Sequence, residues 1–103
     1  MTYEQISMED ARRLMEAEKD YIILDVRTVE EYEAGHIPRA ICIPNETIET
    51  ENPKELLDKE QLILIYCRSG NRSKQASEKL VALGYTNVKE FGGIIDWDGD
   101  IEY

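Results

Sequence analysis

Gln61-Leu62-Ile63-Leu64-Ile65-Tyr66, running straight into Cys67-Arg68-Ser69-Gly70-Asn71-Arg72-Ser73, is the stretch whose reading decides the fold. Its first six residues form a short apolar, β-branched run without polar alternation, the pattern of a strand buried on both faces. A loop comes next, and then a long helical stripe of Ala76, Leu80, Val81 and Leu83 that Gly84 stops. Working outward, Tyr21-Ile22-Ile23-Leu24-Asp25-Val26 and Ala40-Ile41-Cys42-Ile43 read as further strands, the second ended by Pro44, and Asn87-Val88-Lys89-Glu90-Phe91 as the last. Between them lie helices. Ser7 is an N-cap with Asp10 three residues on, ahead of Ala11, Leu14, Met15 and Glu18 at helical spacing. Thr28 caps a short helix over Val29–Glu33 that Gly35 stops, Pro53 opens another over Pro53–Leu57, and a tail helix spans Ile94 to Trp97. Asn45 to Asn52 reads as an acidic surface loop. Strands separated by helices predict an α/β fold: one domain over residues 1–103, with a mainly parallel central sheet flanked by helices on both faces.

Composition narrows the function classes. The chain has 103 residues, 42% of them hydrophobic, enough for one core and too many for intrinsic disorder. Its net charge of −10 argues against nucleic acid or an anionic membrane as partner, since both require a basic footprint. No apolar run approaches the roughly 20 residues of a membrane span, and Met1–Gln5 shows no signal-peptide pattern. Cys42 and Cys67 do not make a disulfide framework, so a cytoplasmic protein with free thiols is expected. Two thiols with a single histidine, His36, do not supply a zinc cluster, and no metal site is expected.

The chemistry is expected at Cys67. Ligands of open parallel sheets bind beyond the carboxyl ends of strands, and Cys67 sits there, just ahead of a helix. A helix N-terminus stabilises negative charge through its dipole and unpaired N–H groups, and such a setting lowers a cysteine pKa from about 8.5 to roughly 3.5–7.5. Gly70 and Asn71 tolerate the backbone angles that turn successive amides inward into an anion-binding concavity. Arg68 and Arg72 add positive charge to an otherwise acidic chain.

These residues, Cys67-Arg68-Ser69-Gly70-Asn71-Arg72-Ser73, resemble the active-site loop of rhodanese-like sulfurtransferases. Leu24-Asp25-Val26-Arg27, Glu31-Tyr32-Glu33-Ala34-Gly35-His36-Ile37-Pro38, Ala40 and Ile43-Pro44 resemble the family's N-terminal motif in order and spacing, and Gly92-Gly93-Ile94 with Trp97 its C-terminal one. Arg39 departs from the pattern, in which Gly often stands between the Pro and the Ala, which bears on a local turn and not on the chemistry. The resemblance implies a Cys67 persulfide, loaded from a small anionic sulfur donor such as thiosulfate and discharged to cyanide in vitro or to a thiol or protein acceptor. It implies Arg68, Ser69, Gly70, Asn71, Arg72 and Ser73 as the persulfide-binding loop, with no metal or organic cofactor. A monomer is expected.

Two rival readings remain beside it. A cysteine phosphatase or arsenate reductase of this fold uses Cys-x5-Arg, whereas the spacing here is Cys67-x4-Arg72, one residue and one amide shorter. Ser73, six residues after Cys67, cannot clamp a phosphate bidentately as Arg does. A sulfur carrier or regulatory binding module of the same fold is the other rival. The remaining features read as structural: His36 as a hydrogen-bonded turn residue, Cys42 as core, and Asp25 with Arg27 as an ion pair in which Glu31 joins as a second partner for Arg27. Gly92-Gly93 reads as a sharp turn, and Trp97 as packing over the sheet edge.

Overall fold

Along the strand Leu62–Cys67, every residue is buried and successive side chains enter opposite cores. Ile63, Ile65 and Cys67 pack with Ala76 and Leu80, whereas Leu62, Leu64 and Tyr66 pack with Ala11 and Phe91. The computed structural model describes residues 2–48 and 53–103. In chain order its elements are β1 (Glu4–Gln5), α1 (Met8–Ala17), β2 (Tyr21–Asp25), α2 (Val29–Glu33), β3 (Ile41–Cys42), β4 (Leu62–Cys67), α3 (Asn71–Ala82) and β5 (Val88–Gly93), with 3-10 turns at Asn45–Thr47 and Ile94–Asp96. The five strands form one sheet in the order β1-β5-β4-β2-β3, and every pairing is parallel. Helices α1 and α3 cover its two faces, giving the expected α/β arrangement with β4 in the middle.

Local signals act as the residue types dictate. The Ser7 hydroxyl accepts the Asp10 N–H at 3.0 Å. Thr28 and Glu31 form a reciprocal capping box at the start of α2. The ends of β2 and β4 are tied together by a buried network. Arg27 donates to both carboxylate oxygens of Asp25, closest at 2.7 Å, and to the Gly35 carbonyl at 2.7 Å. The Tyr66 hydroxyl donates to Asp25 Oδ2 at 2.7 Å and accepts the Ile37 N–H at 3.1 Å. Asp25 and Arg27 are thus a structural pair, and an uncompensated half of such a pair costs about 3–5 kcal/mol.

Four local expectations are corrected. Pro53–Leu57 is a turn, with the Leu56 N–H bonded to the Pro53 carbonyl at 3.0 Å, and no helix forms there. Leu56 is sunk in the core while Leu57 is 87% exposed, so no helical stripe is available to bury. Strand β3 keeps only Ile41–Cys42 of the expected four residues. The Gly92-Gly93 pair forms the last two residues of β5 instead of a turn after it. The two-residue β1 has no signal in the sequence, because Glu4–Gln5 carries no apolar pattern and is held by pairing with β5. The loop expected from Asn45 begins as a 3-10 turn, and residues 49–52 lie outside the described residues.

Candidate active site

Strand β4 delivers Cys67 to the sheet's carboxyl edge with its residue 1% exposed. Gly70, at φ +111°, then reverses the backbone so that its N–H donates to Cys67 Sγ at 3.0 Å. Helix α3 begins at the next residue with no side-chain N-cap and no acidic residue in its first turn. The sulfur therefore takes the place that a capping oxygen occupies in other helices. Ser73 Oγ lies 3.5 Å from Sγ. Burial pushes the Cys67 thiol up, but the Ser73 hydroxyl and the N–H groups of Ser73, Gly70 and Ser69 outweigh it and hold the thiol below its ordinary value.

The floor of the loop is shaped by β5. Ile65 pairs with Glu90, but Cys67 pairs with Gly93, so β5 spends one residue more than β4 over the same span. That extra residue is a bulge beside the loop, and Gly92 takes it at φ +98°. Gly93 is extended, yet a Cβ there would lie 2.1 Å from the Arg68 carbonyl oxygen and 2.5 Å from Ser69 Cα. The loop backbone rests on a surface that only glycine provides.

The six loop positions play different parts. The amides of Ser69, Gly70 and Ser73 converge on the sulfur. Asn71 is exposed at the first position of α3, and Arg68 is exposed, with no ion pair among the described residues. Arg72 turns to α2, where Nη1 and Nη2 bond Glu31 Oε1 and Oε2 at 2.7 and 3.1 Å. This corrects the assignment of Glu31 to Arg27: Arg27 bonds Asp25 and Gly35, and the Glu31 carboxylate is taken by Arg72. The Arg72 hydrogen bonds, with the Thr28 N–H and hydroxyl, hold the Glu31 carboxyl down at about 2 against the opposing effect of burial.

The other singled-out residues are structural. His36 stacks on Tyr32 with ring centroids 3.8 Å apart, and its Nδ1 lies 2.9 Å from the Tyr32 carbonyl. Trp97 packs against Phe91 with centroids 6.5 Å apart. Three residues escape a reading of the sequence: Glu31 as the partner of Arg72, Gly93 as the loop's floor, and Glu90, buried beneath Ser73. A carboxylate in the buried strand Val88–Phe91 is the one available signal, because an inward charge needs a partner.

Residues 7–100 match the model of the rhodanese-like domain, and the chain belongs to that family. It is 37% identical over 73 residues to the thiosulfate sulfurtransferase PspE of Escherichia coli, covering 71% of this chain and 70% of that protein. It is 34% identical over 99 residues to the putative sulfur carrier protein YrkF of Bacillus subtilis, covering 95% of this chain and 52% of that one. A match to the adenylyltransferase and sulfurtransferase UBA4 of Candida albicans, 31% identical, covers 95% of this chain but 24% of that protein. The chain thus spans about half or less of two of these relatives. Among solved structures, a rhodanese-like domain protein from Staphylococcus aureus superposes with a TM-score of 0.80 at 34% identity, covering 96% of each chain. Relatives named for sulfur transfer support that chemistry in general for this fold.

Proposed function

We propose that this chain, read as one rhodanese-like domain, transfers sulfane sulfur through a persulfide on Cys67. The observation that carries the reading is the sulfur's position as the cap acceptor of α3, bonded by the Gly70 N–H at 3.0 Å. In the first half-reaction the Cys67 thiolate attacks the outer sulfur of a donor such as thiosulfate. The donor's S–S bond breaks, its electron pair leaves with sulfite, and the negative charge of the new persulfide rests on its outer sulfur. The converging amides of Ser69, Gly70 and Ser73 hold that charge. In the second half-reaction an acceptor nucleophile, cyanide in vitro or a thiol in the cell, attacks the outer sulfur and the Cys67 thiolate departs. No proton acceptor for Cys67 is needed once the thiol is ionised. The free thiols at Cys42 and Cys67 support a cytoplasmic site of action.

A second reading, a sulfur carrier loaded by another protein, is favoured by one observation. The Arg72 charge is already balanced by Glu31, leaving Arg68 as the loop's uncommitted cation for a small dianion. Intact-mass spectrometry separates the two. Wild type gains one sulfur atom from thiosulfate and loses it to cyanide with release of thiocyanate, while Cys67→Ala gains none. Loading from a persulfide donor but not from thiosulfate selects the carrier reading, and loading of Cys67→Ala overturns both.

A further inference from the structure

Beneath the loop lies an ionisable group that this sulfur chemistry leaves unused. Glu90 is 2% exposed, and its Oε2 accepts the Ser73 hydroxyl at 2.5 Å and the Gly92 N–H at 2.8 Å. Ser73 is also the residue whose Oγ stands 3.5 Å from Cys67 Sγ. A serine hydroxyl carries a single proton. Within reach of this one are Glu90 Oε2 at 2.5 Å, the Gly70 carbonyl at 2.9 Å, and Cys67 Sγ and the Gly92 carbonyl at 3.5 Å. A hydrogen bond to a charged acceptor is roughly twice as strong as one to a neutral acceptor. Glu90 Oε2, a full ångström closer to Ser73 Oγ than Cys67 Sγ is, competes with the sulfur for that proton.

We propose that Glu90 is a positioning residue for Cys67, which competes with the thiolate for the Ser73 hydrogen bond and so limits how far that bond stabilises it. The amides alone would make the thiolate very stable and correspondingly weak as a nucleophile, because nucleophilicity falls as thiol pKa falls. Glu90 counterbalances them. The other titratable groups about the pair are Tyr3, ahead of β1 and itself facing Glu78, and Arg72 with its partner Glu31. Burial, with Glu78 and Glu90, raises the Tyr3 phenol, Glu31 raises the Arg72 guanidinium, and Arg72 holds Glu31 at about 2, so these three keep their charge states through neutral pH.

The effect on reactivity rests on the sulfurtransferase reading, whereas the effect on thiol ionisation does not, so the test measures both. The rate of Cys67 alkylation by iodoacetamide is followed against pH in wild type, Glu90→Gln, Ser73→Ala and the double variant. In Glu90→Gln, a near-isosteric change that keeps an acceptor for Gly92, the competing carboxyl is lost and the Ser73 proton turns further to the thiolate. The alkylation midpoint then falls by about one pH unit. A purely structural role predicts the opposite, since a loosened loop loses amide bonds and its midpoint rises. An unchanged or higher midpoint overturns the proposal. Ser73→Ala removes the group through which Glu90 acts, so it abolishes the Glu90→Gln shift in the double variant. A Glu90→Gln shift that persists at full size in the Ser73→Ala background overturns the proposal independently. In sulfur transfer, Glu90→Gln slows attack on the donor about threefold per unit of lowered pKa and speeds discharge to the acceptor. A shifted alkylation profile without any sulfur loading supports the role of Glu90 and overturns sulfur transfer instead.

Discussion

Cys67 and Cys42 both end parallel strands at the same edge of one sheet, two strands apart, and their environments drive them in opposite directions. Cys67 is followed by Gly70 and twelve residues of helix, whose free N–H groups point back at it. Cys42 is followed by Ile43 and Pro44, which has no N–H, and then by a three-residue 3-10 turn. Its Sγ finds the Arg27 carbonyl at 3.7 Å. Burial, reinforced by the Asp25, Glu46 and Glu31 carboxylates and opposed by Arg27, pushes its thiol up to about 11. The more deeply buried cysteine is the one whose thiol is lowered. A helix start just past the strand makes a cysteine reactive, and a strand end alone does not.

The largest expected consequence is selectivity between the two thiols. At pH 8, a thiol with a pKa of about 11 is ionised to about one part in a thousand. Cys67, whose thiol is held below its ordinary value, is therefore expected to alkylate much faster than Cys42, as read by peptide mapping after a timed iodoacetamide pulse. Comparable labelling of both would break the contrast. The same contrast collapses when the loop loses its floor. Gly93→Ala places a methyl 2.1 Å from the Arg68 carbonyl, a clash with backbone that no rotamer relieves. We expect a loss of about 1–3 kcal/mol in urea unfolding, together with a Cys67 alkylation midpoint displaced upward as the amides move away. Wild-type stability in that variant would show that the loop does not rest on β5.

Arg72 and Glu31 sharpen the comparison at a smaller scale. In Arg72→Ala the Glu31 carboxylate stands unpaired on the sulfur side of α2, so the Cys67 thiol rises and use of thiosulfate falls, by about tenfold for a unit change. The pair also leaves an acid signature. The folded-state carboxyl of Glu31 is depressed from 4.5 to about 2, so its stabilisation is complete above the ordinary value and is lost as pH falls from 4.5 toward 2. Unfolding measured across that window should be less steep in Arg72→Ala than in wild type. Identical slopes would mean that the ion pair contributes nothing in solution.

Much of this is legible in single residues and their spacing. Apolar runs locate β2 and β4, Ser7 and Thr28 locate the starts of α1 and α2, and the Cys67–Ser73 loop locates the candidate site. The features that escape depend on partners distant in sequence. Glu31 meets Arg72 across 41 positions, and Glu90 meets Ser73 across 17. Nothing in either segment announces the other. Gly93 reads as a turn because a glycine that leaves room for another backbone looks, in sequence, like a glycine that bends its own. Pro53 is a permissive helix start, and here a turn anchored by Leu56 satisfies the same residues.

Arg39 carries the smallest effect and the clearest local test, since it occupies the turn where the family often has glycine. It holds φ +74°, the one non-glycine residue with positive φ among the described residues. Left-handed backbone costs an L-residue about 1–2 kcal/mol. Its guanidinium offsets part of this by donating to the Tyr21 hydroxyl at 2.7 Å and stacking 4.5 Å over that ring, at the far end of β2 from the site. Such a cation–π contact contributes about 0.5–1 kcal/mol when exposed. Arg39→Ala keeps the strain and loses the contact, so it should destabilise. Arg39→Gly loses the contact and the strain together, and should unfold at higher urea than Arg39→Ala, by about 1 kcal/mol. Sulfur transfer should be unchanged in both variants, because this turn and the Cys67 loop share no side-chain contact. Equal stability of the two would mean that the chain has relaxed out of the left-handed turn.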